Sequence, residues 1–266
     1  MISTMPRIAI PEPTSTDQAY NQRSLPQYIR AVEAAGGIAV PISLEQPPAS
    51  QAEILASCIG ILLPGSPADI DPARYGQQAV EACAAKDLPR EAADDLLLRD
   101  AFSQGKPILG ICYGLQSLNV WRQGSLIQDL PHFKETGTSD GRGMVNHQPG
   151  REVQNAHPVL VTPGSRLSHL VPKAEQGALR LSVNSSHHQA IDRPGSNLVV
   201  AAISPADGII EALEGAEPGQ FVVAVQWHPE RSYESSEASR ELFAAFLYAA
   251  RSWASSQTVS IGAGEP

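Results

Sequence analysis

Short apolar runs alternate with amphipathic segments in the first half of the chain. The runs are four to six residues long, a length typical of buried β-strands, and they lie at 7–10, 38–42, 58–63 and 107–111. The segments between them place apolar residues at helical spacing and predict helices over 25–35, 52–56 and 91–103. Strands that alternate with helices predict a mainly parallel sheet with right-handed crossovers.

The second half has a different pattern, in which short apolar runs follow one another with Pro, Gly and Asp turns between them. These runs predict strands at 181–183, 198–203, 208–213 and 221–226. We interpret them as antiparallel additions to the same sheet. A last amphipathic segment over 235–252 predicts a closing helix.

Two segments lack a clear pattern. Residues 131–151 hold few strongly apolar side chains and predict a long irregular loop. Residues 254–266 are small and polar and predict a disordered tail. Because no linker or internal repeat divides the rest, we expect one α/β domain over 1–253.

The composition narrows the class of partner. The chain has 266 residues, 42% of them hydrophobic, and 19 basic against 28 acidic side chains give a net charge of −9. This charge argues against a nucleic-acid partner, because phosphate binding requires clustered Lys and Arg. The longest apolar runs fall far short of the ~20 residues of a membrane span. The N-terminal residues do not resemble a signal peptide. We therefore expect a cytoplasmic protein that acts on a small molecule, without a membrane partner.

One of the three cysteines stands in a sequence that favours a nucleophile. Gly110-Ile-Cys112-Tyr-Gly114 closes one predicted strand and precedes a helix, the arrangement of a nucleophile elbow. A thiol at a helix N-terminus is expected to have a lowered pKa. The alternative is an inert buried cysteine in a glycine-rich turn. Cys58 and Cys83 lack such an elbow, and we expect them to be packing thiols.

Two further motifs could complete such a site. His228-Pro-Glu230 follows an apolar run and supplies a candidate base with a carboxylate behind it. Gly65-Ser66, in the turn after another run, could offer main-chain N–H groups to an oxyanion together with the N–H of Tyr113. The alternatives are a surface histidine and an ordinary tight turn.

These motifs, in this order, resemble the gamma-glutamyl-gamma-aminobutyrate hydrolase family. It groups with folate gamma-glutamyl hydrolases as cysteine peptidases (C26) and is related to class I glutamine amidotransferases. The matching stretches are residues 28–37, 63–70, 75–76, 110–119, 124–130, 183–189, 207–212 and 225–230.

The resemblance implies a flavodoxin-like three-layer sandwich and a hydrolase of γ-glutamyl amides that forms a thioester and needs no cofactor. It assigns the nucleophile, the general acid/base and the orienting carboxylate to Cys112, His228 and Glu230. It assigns the oxyanion hole and the contacts to the glutamyl group to Gly65, Ser66, Tyr113, Gln116, Ser185 and Ser186, with His187 in the same strip. A glutaminase subunit that passes ammonia to a partner and a catalytically silent binding module remain alternatives, and a homodimer is left open.

Two details bear on specificity and on metals. Relatives in this family can carry Arg where this chain has Tyr113, so we expect the Tyr113 side chain to contact the leaving amine.

Adjacent His187 and His188 point to opposite faces of an extended strand, and no paired-ligand motif accompanies them or the separate His132, His147 and His157. The sequence therefore predicts no metal site.

Overall fold

The fold is described from a computed structural model, in which residues 5–136, 145–171 and 179–262 are placed. Within these residues one sheet of eleven strands forms the centre of the molecule. The strands are β1 (Arg7–Pro11), β2 (Ile38–Ile42), β3 (Gly60–Leu63), β4 (Ile108–Ile111), β5 (Ser125–Ile127), β6 (His157–Val161), β7 (Arg180–Val183), β8 (Ala190–Arg193), β9 (Leu198–Ile203), β10 (Ile210–Gly215) and β11 (Val222–Val225).

The sheet has a parallel half and an antiparallel half. Strands β2, β1, β3, β4 and β11 lie side by side in that order and are all parallel. From β11 the sheet continues through β10, β9, β6 and β7 with antiparallel pairing, while β8 joins β10 to β5. The prediction that β11 is an antiparallel addition holds for its pairing with β10 and is wrong for its other neighbour. Strand β11 lies in the middle of the sheet and pairs in parallel with β4.

Six α-helices accompany the sheet in the described residues, and the first three connect successive strands of its parallel half. They are α1 (Gln18–Ala34), α2 (Pro48–Ala56), α3 (Leu88–Gln104), α4 (Tyr113–Trp121), α5 (Leu130–Thr136) and α6 (Glu237–Gly262), with short 3-10 helices at Pro72–Tyr75 and Leu167–His169. Helix α1 begins seven residues before its predicted start. Asp17 caps it there, since the Asp17 carboxylate accepts a 2.8 Å hydrogen bond from the Tyr20 N–H.

The helices cover both faces of the sheet and produce three layers. On one face, α1 and α6 pack against Ile8, Ile10 and the alternate residues of neighbouring strands. On the other face, α2, α3 and α4 pack against Ala9 and Ile61. Strand residues alternate between the two faces, so both apolar clusters draw on the same strands. This arrangement confirms the three-layer α/β sandwich.

Several elements were not predicted. Strands β5, β6 and β8 are three to five residues long, and each includes polar residues or Pro that hide its period. Helix α5 occupies the start of the segment predicted as an irregular loop, whose residues 137–144 lie outside the described part of the chain.

The closing helix α6 is longer than predicted. It continues to Gly262, so residues 254–262 of the predicted tail are helical, while 263–266 lie outside the described residues. The helix is anchored at its predicted end. The Trp253 indole donates a 2.8 Å hydrogen bond to the Gln104 carbonyl, and the Lys106 ammonium lies 5.8 Å from the Trp253 ring centroid. None of the helices in the described ranges is long and apolar enough to cross a membrane.

Candidate active site

Cys112 lies in a strained turn between β4 and α4. Its φ of +53° and ψ of −107° are rare for a residue with a side chain. Two glycines make the turn sterically feasible. A Cβ at Gly114 would overlap the Leu63 carbonyl, and one at Gly110 would lie 2.9 Å from the Ala224 Cβ. The predicted strand–elbow–helix geometry is present.

The thiol is buried, with 6% of the residue exposed. Burial raises the pKa of Cys112 to about 12, although Arg231, the Tyr113 N–H and the Gln226 side chain oppose the shift. The prediction of a lowered thiol pKa is therefore wrong for the unliganded protein. Desolvation outweighs the helix N-terminus, and the resting side chain is a thiol rather than a thiolate.

His228 and Glu230 follow β11, the neighbour of β4, so they reach the same edge of the sheet as Cys112. The His228 Nδ1 lies 2.8 Å from the Glu230 Oε1, and both side chains are buried. Burial lowers the pKa of His228 to about 4, so the imidazole is neutral near pH 7. Because Nδ1 faces a carboxylate, we assign the ring proton to Nδ1, which leaves the Nε2 lone pair free.

The carboxylate has a second neighbour, which is charged. Although burial opposes its ionisation, His228 and then Arg231 hold the pKa of Glu230 below its usual range. The Arg231 Nε lies 3.5 Å from the Glu230 Oε1. Sequence reasoning missed Arg231, which directly follows the His-Pro-Glu triplet.

The backbone of His228 is held by Asn184, another residue that sequence reasoning missed. The Asn184 Nδ2 donates to the His228 carbonyl and the Asn184 Oδ1 accepts from the His228 N–H, both at 2.8 Å. Asn184 directly precedes Ser185 in a stretch that carries the family resemblance, and that position is the signal that could have identified it.

Gly65 lies next to both Cys112 and His228. A Cβ built on Gly65 would lie 3.0 Å from the His228 Cε1 and 3.6 Å from the Cys112 Cβ. The Gly65 N–H donates a 3.0 Å hydrogen bond to the Tyr28 hydroxyl, which an oxyanion would have to replace, so the role of Gly65 as an oxyanion donor stays a prediction. For the Ser66 N–H, the described residues provide no acceptor, and it becomes the candidate donor of this loop.

Arg90 explains why Tyr113 turns inward. The buried Arg90 pairs with Asp94 at 2.8 Å and donates to the Pro64 carbonyl at 2.6 Å, just before Gly65. Its guanidinium lies 4.7 Å from the centroid of the Tyr113 ring, and Tyr113 is 1% exposed. The prediction that this side chain contacts the leaving amine is wrong, because the ring packs in the core beside Arg90.

A pocket of about 140 Å³ opens beside the thiol. Its lining includes Cys112 and the predicted site residues Ser66, Tyr113, Gln116, Ser186 and His187. The side chains of two predicted residues have partners in the protein. The Ser185 hydroxyl donates to the His147 carbonyl at 2.8 Å, so the predicted substrate contact of the Ser185 main chain stays a prediction. The His187 ring contacts the Gln189 carbonyl at 2.8 Å and faces Glu211 at 3.7 Å.

A histidine cluster that the sequence did not predict lies behind this pocket. His147, His157, His187 and Glu211 are all buried, and their potential ligand atoms lie within 4.8 Å of one another.

The model of the Peptidase C26 family matches residues 6–230, a range that contains the elbow, Gly65 and the His228–Glu230 pair. The chain belongs to the peptidase C26 family. Membership in C26 supports a hydrolase, in agreement with the resemblance seen in the motifs.

Individual relatives agree with this assignment. "Putative glutamine amidotransferase Rv2859c" of Mycobacterium tuberculosis is 39% identical over 87% of this chain and 68% of its own. Gamma-glutamyl-gamma-aminobutyrate hydrolase PuuD of Escherichia coli is 33% identical over 84% of each chain. Among solved structures, a Thermoplasma acidophilum protein described as "a putative gmp synthase subunit a protein" superposes with a TM-score of 0.62, covering 96% of this chain and 98% of that one at 16% identity. This last likeness concerns the fold alone.

Proposed function

We propose that this protein hydrolyses γ-glutamyl amides through Cys112, His228 and Glu230. One observation carries the proposal: a thiol on a strained elbow and a carboxylate-bound imidazole both face Gly65 beside a small pocket. A cysteine nucleophile needs a base and a group that orients the base, and we assign these roles to His228 and Glu230, which form a pair beside the elbow.

The neutral state of the two groups fits a general-base step. As the Cys112 Sγ attacks the γ-carbonyl carbon, the His228 Nε2 accepts the thiol proton, and Glu230 stabilises the imidazolium that forms. The N–H groups of Ser66 and Tyr113 would donate to the oxyanion. The C–N bond then breaks as His228 returns its proton to the amine. Water hydrolyses the thioester with His228 as base, which releases glutamate and restores the thiol.

Polar groups of the pocket fit the amino-acid end of a glutamyl group. The Gln116 Nε2 donates to the Gln189 carbonyl at 3.3 Å and to the Gln226 Oε1 at 3.2 Å. These bonds fix the amide, and its Oε1 can accept a hydrogen bond from an α-ammonium group. The main chain at Ser186, on the pocket wall, would bind the α-carboxylate.

For the amine half, we propose γ-glutamyl-γ-aminobutyrate or a related γ-glutamyl amine. Relatives about 33% identical carry the name of that hydrolase. The direct test measures glutamate release from γ-glutamyl-γ-aminobutyrate, γ-glutamyl-putrescine, polyglutamate and a γ-glutamyl anilide. The α-glutamyl anilide is the matched control. We expect turnover of γ-linked substrates and none of the α-linked one, and equal turnover of both anilides would contradict the proposal.

A glutaminase subunit is the second candidate, because the 39% identical relative is named as an amidotransferase. It would release ammonia from glutamine, at a rate that rises when a synthetase partner is added. Rapid hydrolysis of γ-glutamyl amines by the protein alone, with slow release from glutamine, would favour the hydrolase. Binding of these ligands without any turnover would instead indicate a silent binding module.

A further inference from the structure

The cluster behind the pocket is built from four separate parts of the chain. We call it the His3Glu cluster, and its members are His147, His157, His187 and Glu211. Each of the four residues is at most 4% exposed. Its centre is the Glu211 Oε1, which lies 3.2 Å from the His147 Nδ1, 3.5 Å from the His157 Nε2 and 3.7 Å from the His187 Nε2.

The inward-facing atoms of the cluster lack hydrogen-bond partners. The three inward ring nitrogens and both Glu211 carboxylate oxygens are buried without a hydrogen bond to any described residue. The contact of 3.2 Å to His147 is close enough, but its direction does not suit an N–H donor. Five unsatisfied buried polar atoms around one point are costly unless something binds them all.

The outward ring nitrogens, in contrast, all have acceptors. The His147 Nε2 lies 3.0 Å from the Asp207 Oδ2, the His157 Nδ1 lies 3.3 Å from the Pro158 carbonyl, and the His187 Nδ1 lies 2.8 Å from the Gln189 carbonyl. Metal-bound histidines show this arrangement, in which the outer N–H donates to a carboxylate or carbonyl and directs the other nitrogen's lone pair at the metal.

We propose that the His3Glu cluster binds a divalent transition-metal ion, for which Zn²⁺ is the best match. Three imidazoles and one carboxylate form a donor set that Zn²⁺ accepts in tetrahedral geometry. Zn–N bonds of about 2.0–2.1 Å at tetrahedral angles place ligand atoms about 3.3 Å apart. The distances from the Glu211 Oε1 to the three ring nitrogens, 3.2 to 3.7 Å, are close to that value, and all four ligand atoms lie within 4.8 Å of one another, so the side chains would draw together around the ion.

The charges of the site also balance. Glu211 and Asp207 are two carboxylates that face the histidines, and the Asp207 Oδ2 lies 3.0 Å from the His147 Nε2. One divalent cation would neutralise Glu211 and Asp207 together while all three histidines remain neutral. With four protein ligands the site is closed, which is typical of structural rather than catalytic zinc.

The metal would connect segments that border the pocket. The His147 carbonyl accepts hydrogen bonds from the Ser185 hydroxyl at 2.8 Å and the His187 N–H at 3.0 Å. The ion would add a direct link between the same segments, through side chains of His147 and His187, and would tie both to β6 and β10.

The first test measures the metal content of tag-free wild-type protein by inductively coupled plasma mass spectrometry, because a polyhistidine tag would itself bind metal. We expect one zinc per chain after growth with Zn²⁺ and exhaustive dialysis. Removal with a strong chelator should lower Tm by on the order of 10 °C, and added Zn²⁺ should restore it. Less than stoichiometric metal even after incubation with excess Zn²⁺ would overturn the proposal and would indicate a protonated histidine network instead.

Variants distinguish this cluster from the candidate catalytic cysteine, because a cysteine sulfur can also bind zinc. Glu211→Gln and His157→Gln should lose the metal, whereas Cys112→Ser and the exposed-site control His169→Gln should keep it. Loss of metal in Cys112→Ser with retention in Glu211→Gln would place the ion at the thiol and contradict the proposal.

A spectroscopic measurement on the wild type does not depend on the variants folding. Chelator-treated protein loaded with Co²⁺ should show the visible bands of a four-coordinate nitrogen and oxygen site without a sulfur-to-cobalt charge-transfer band. A strong sulfur-to-cobalt charge-transfer band, or a spectrum without the bands of four-coordinate cobalt, would overturn the assignment. Because these readouts are independent of turnover, an inactive protein that binds zinc would contradict the proposed function and leave this inference intact.

Discussion

The elbow at Cys112 and the His3Glu cluster border one pocket, which both Cys112 and His187 line, and they differ in how the chain builds them. The elbow is local, since Gly110, Cys112 and Gly114 fall within five positions and two of them are glycines that the turn requires. The cluster brings together residues from a loop, from β6, from the strip after β7 and from β10. A short motif can reveal the first kind of site, whereas the second kind emerges only from the sheet topology.

The two regions also differ in how their unsatisfied polar atoms are grouped. In the catalytic region His228 has Glu230 and Asn184 as partners, while the Glu230 Oε2, the Arg231 Nε and the Gln226 Nε2 have no hydrogen bond among the described residues. In the cluster, all five inward atoms have none, and they surround one point. This grouping around one point, rather than the presence of unsatisfied atoms, marks the cluster as a candidate ion site.

The largest expected effect separates chemistry from folding. Cys112→Ser should lower kcat/KM for the best γ-glutamyl substrate by on the order of 10⁴-fold or more, because the weaker serine nucleophile replaces the thiol. Tm should change by less than about 2 °C, since the two side chains are nearly isosteric. Steady-state kinetics and thermal unfolding provide the measurement. The matched control is Cys83→Ser, away from the elbow, and a comparable loss of activity there would contradict the assignment of the nucleophile.

The second prediction ranks the two partners of the thiol. His228→Ala should be about 10²-fold more damaging to kcat than Glu230→Gln, because the imidazole transfers the proton and the carboxylate only orients and stabilises it. Rates for both variants, with the exposed-site control Glu234→Gln, test the ranking. Equal and complete loss in both would mean that Glu230 acts more directly.

The sequence predicts the backbone of this fold better than its side-chain contacts. The parallel strands and the elbow follow from continuous apolar runs and from glycine spacing, both of which are local. The inward turn of Tyr113 depends on Arg90, which lies 23 positions earlier and reaches it through α3. The high thiol pKa depends on burial by the whole site. The cluster was missed for the same reason, since Glu211 lies within an otherwise ordinary strand.

The third prediction tests whether the elbow geometry is as local as its motif. Gly114→Ala would press a methyl group against the Leu63 carbonyl, so the turn must shift. A shift of about 1 Å at the thiol can cost on the order of 10²-fold in kcat, and overpacking costs about 1–3 kcal/mol of stability. Gly76→Ala is the control, because its φ of +76° is strained for alanine but no atom lies within 4 Å. Gly76→Ala should lose stability and keep full kcat, and unchanged activity in Gly114→Ala would show that the turn tolerates displacement.

The fourth prediction concerns Asn184, which holds the His228 backbone from 44 positions earlier in the chain. Asn184→Ala removes both hydrogen bonds to the His228 backbone and leaves a buried N–H and carbonyl unsatisfied, at a cost of about 1–3 kcal/mol. We expect a fall of about 10-fold in kcat with little change in KM, since the imidazole is misplaced but the pocket is intact. The exposed Asn155→Ala is the control. A change confined to KM would mean that Asn184 contacts substrate instead.

The smallest expected effect is a near absence of pH dependence where a histidine enzyme usually shows one. Burial lowers the pKa of His228 to about 4, against about 6.5 for an exposed histidine, so the base stays neutral well below pH 6.5. The profile of kcat/KM for an uncharged γ-glutamyl anilide should therefore stay nearly flat from pH 7 to pH 5 and fall only near pH 4.

The same lowered pKa of His228 also makes the stability of the folded protein depend on pH. The unfolded chain binds a proton on His228 between pH 6.5 and 4 while the folded chain does not, so His228 contributes stability above pH 6.5 that is lost as the pH falls toward 4. In His228→Gln this acid-induced loss of Tm should be smaller than in the wild type. An acid limb of kcat/KM at pH 6.5 would mean that the free imidazole is solvated, which would contradict the buried neutral base on which the mechanism depends.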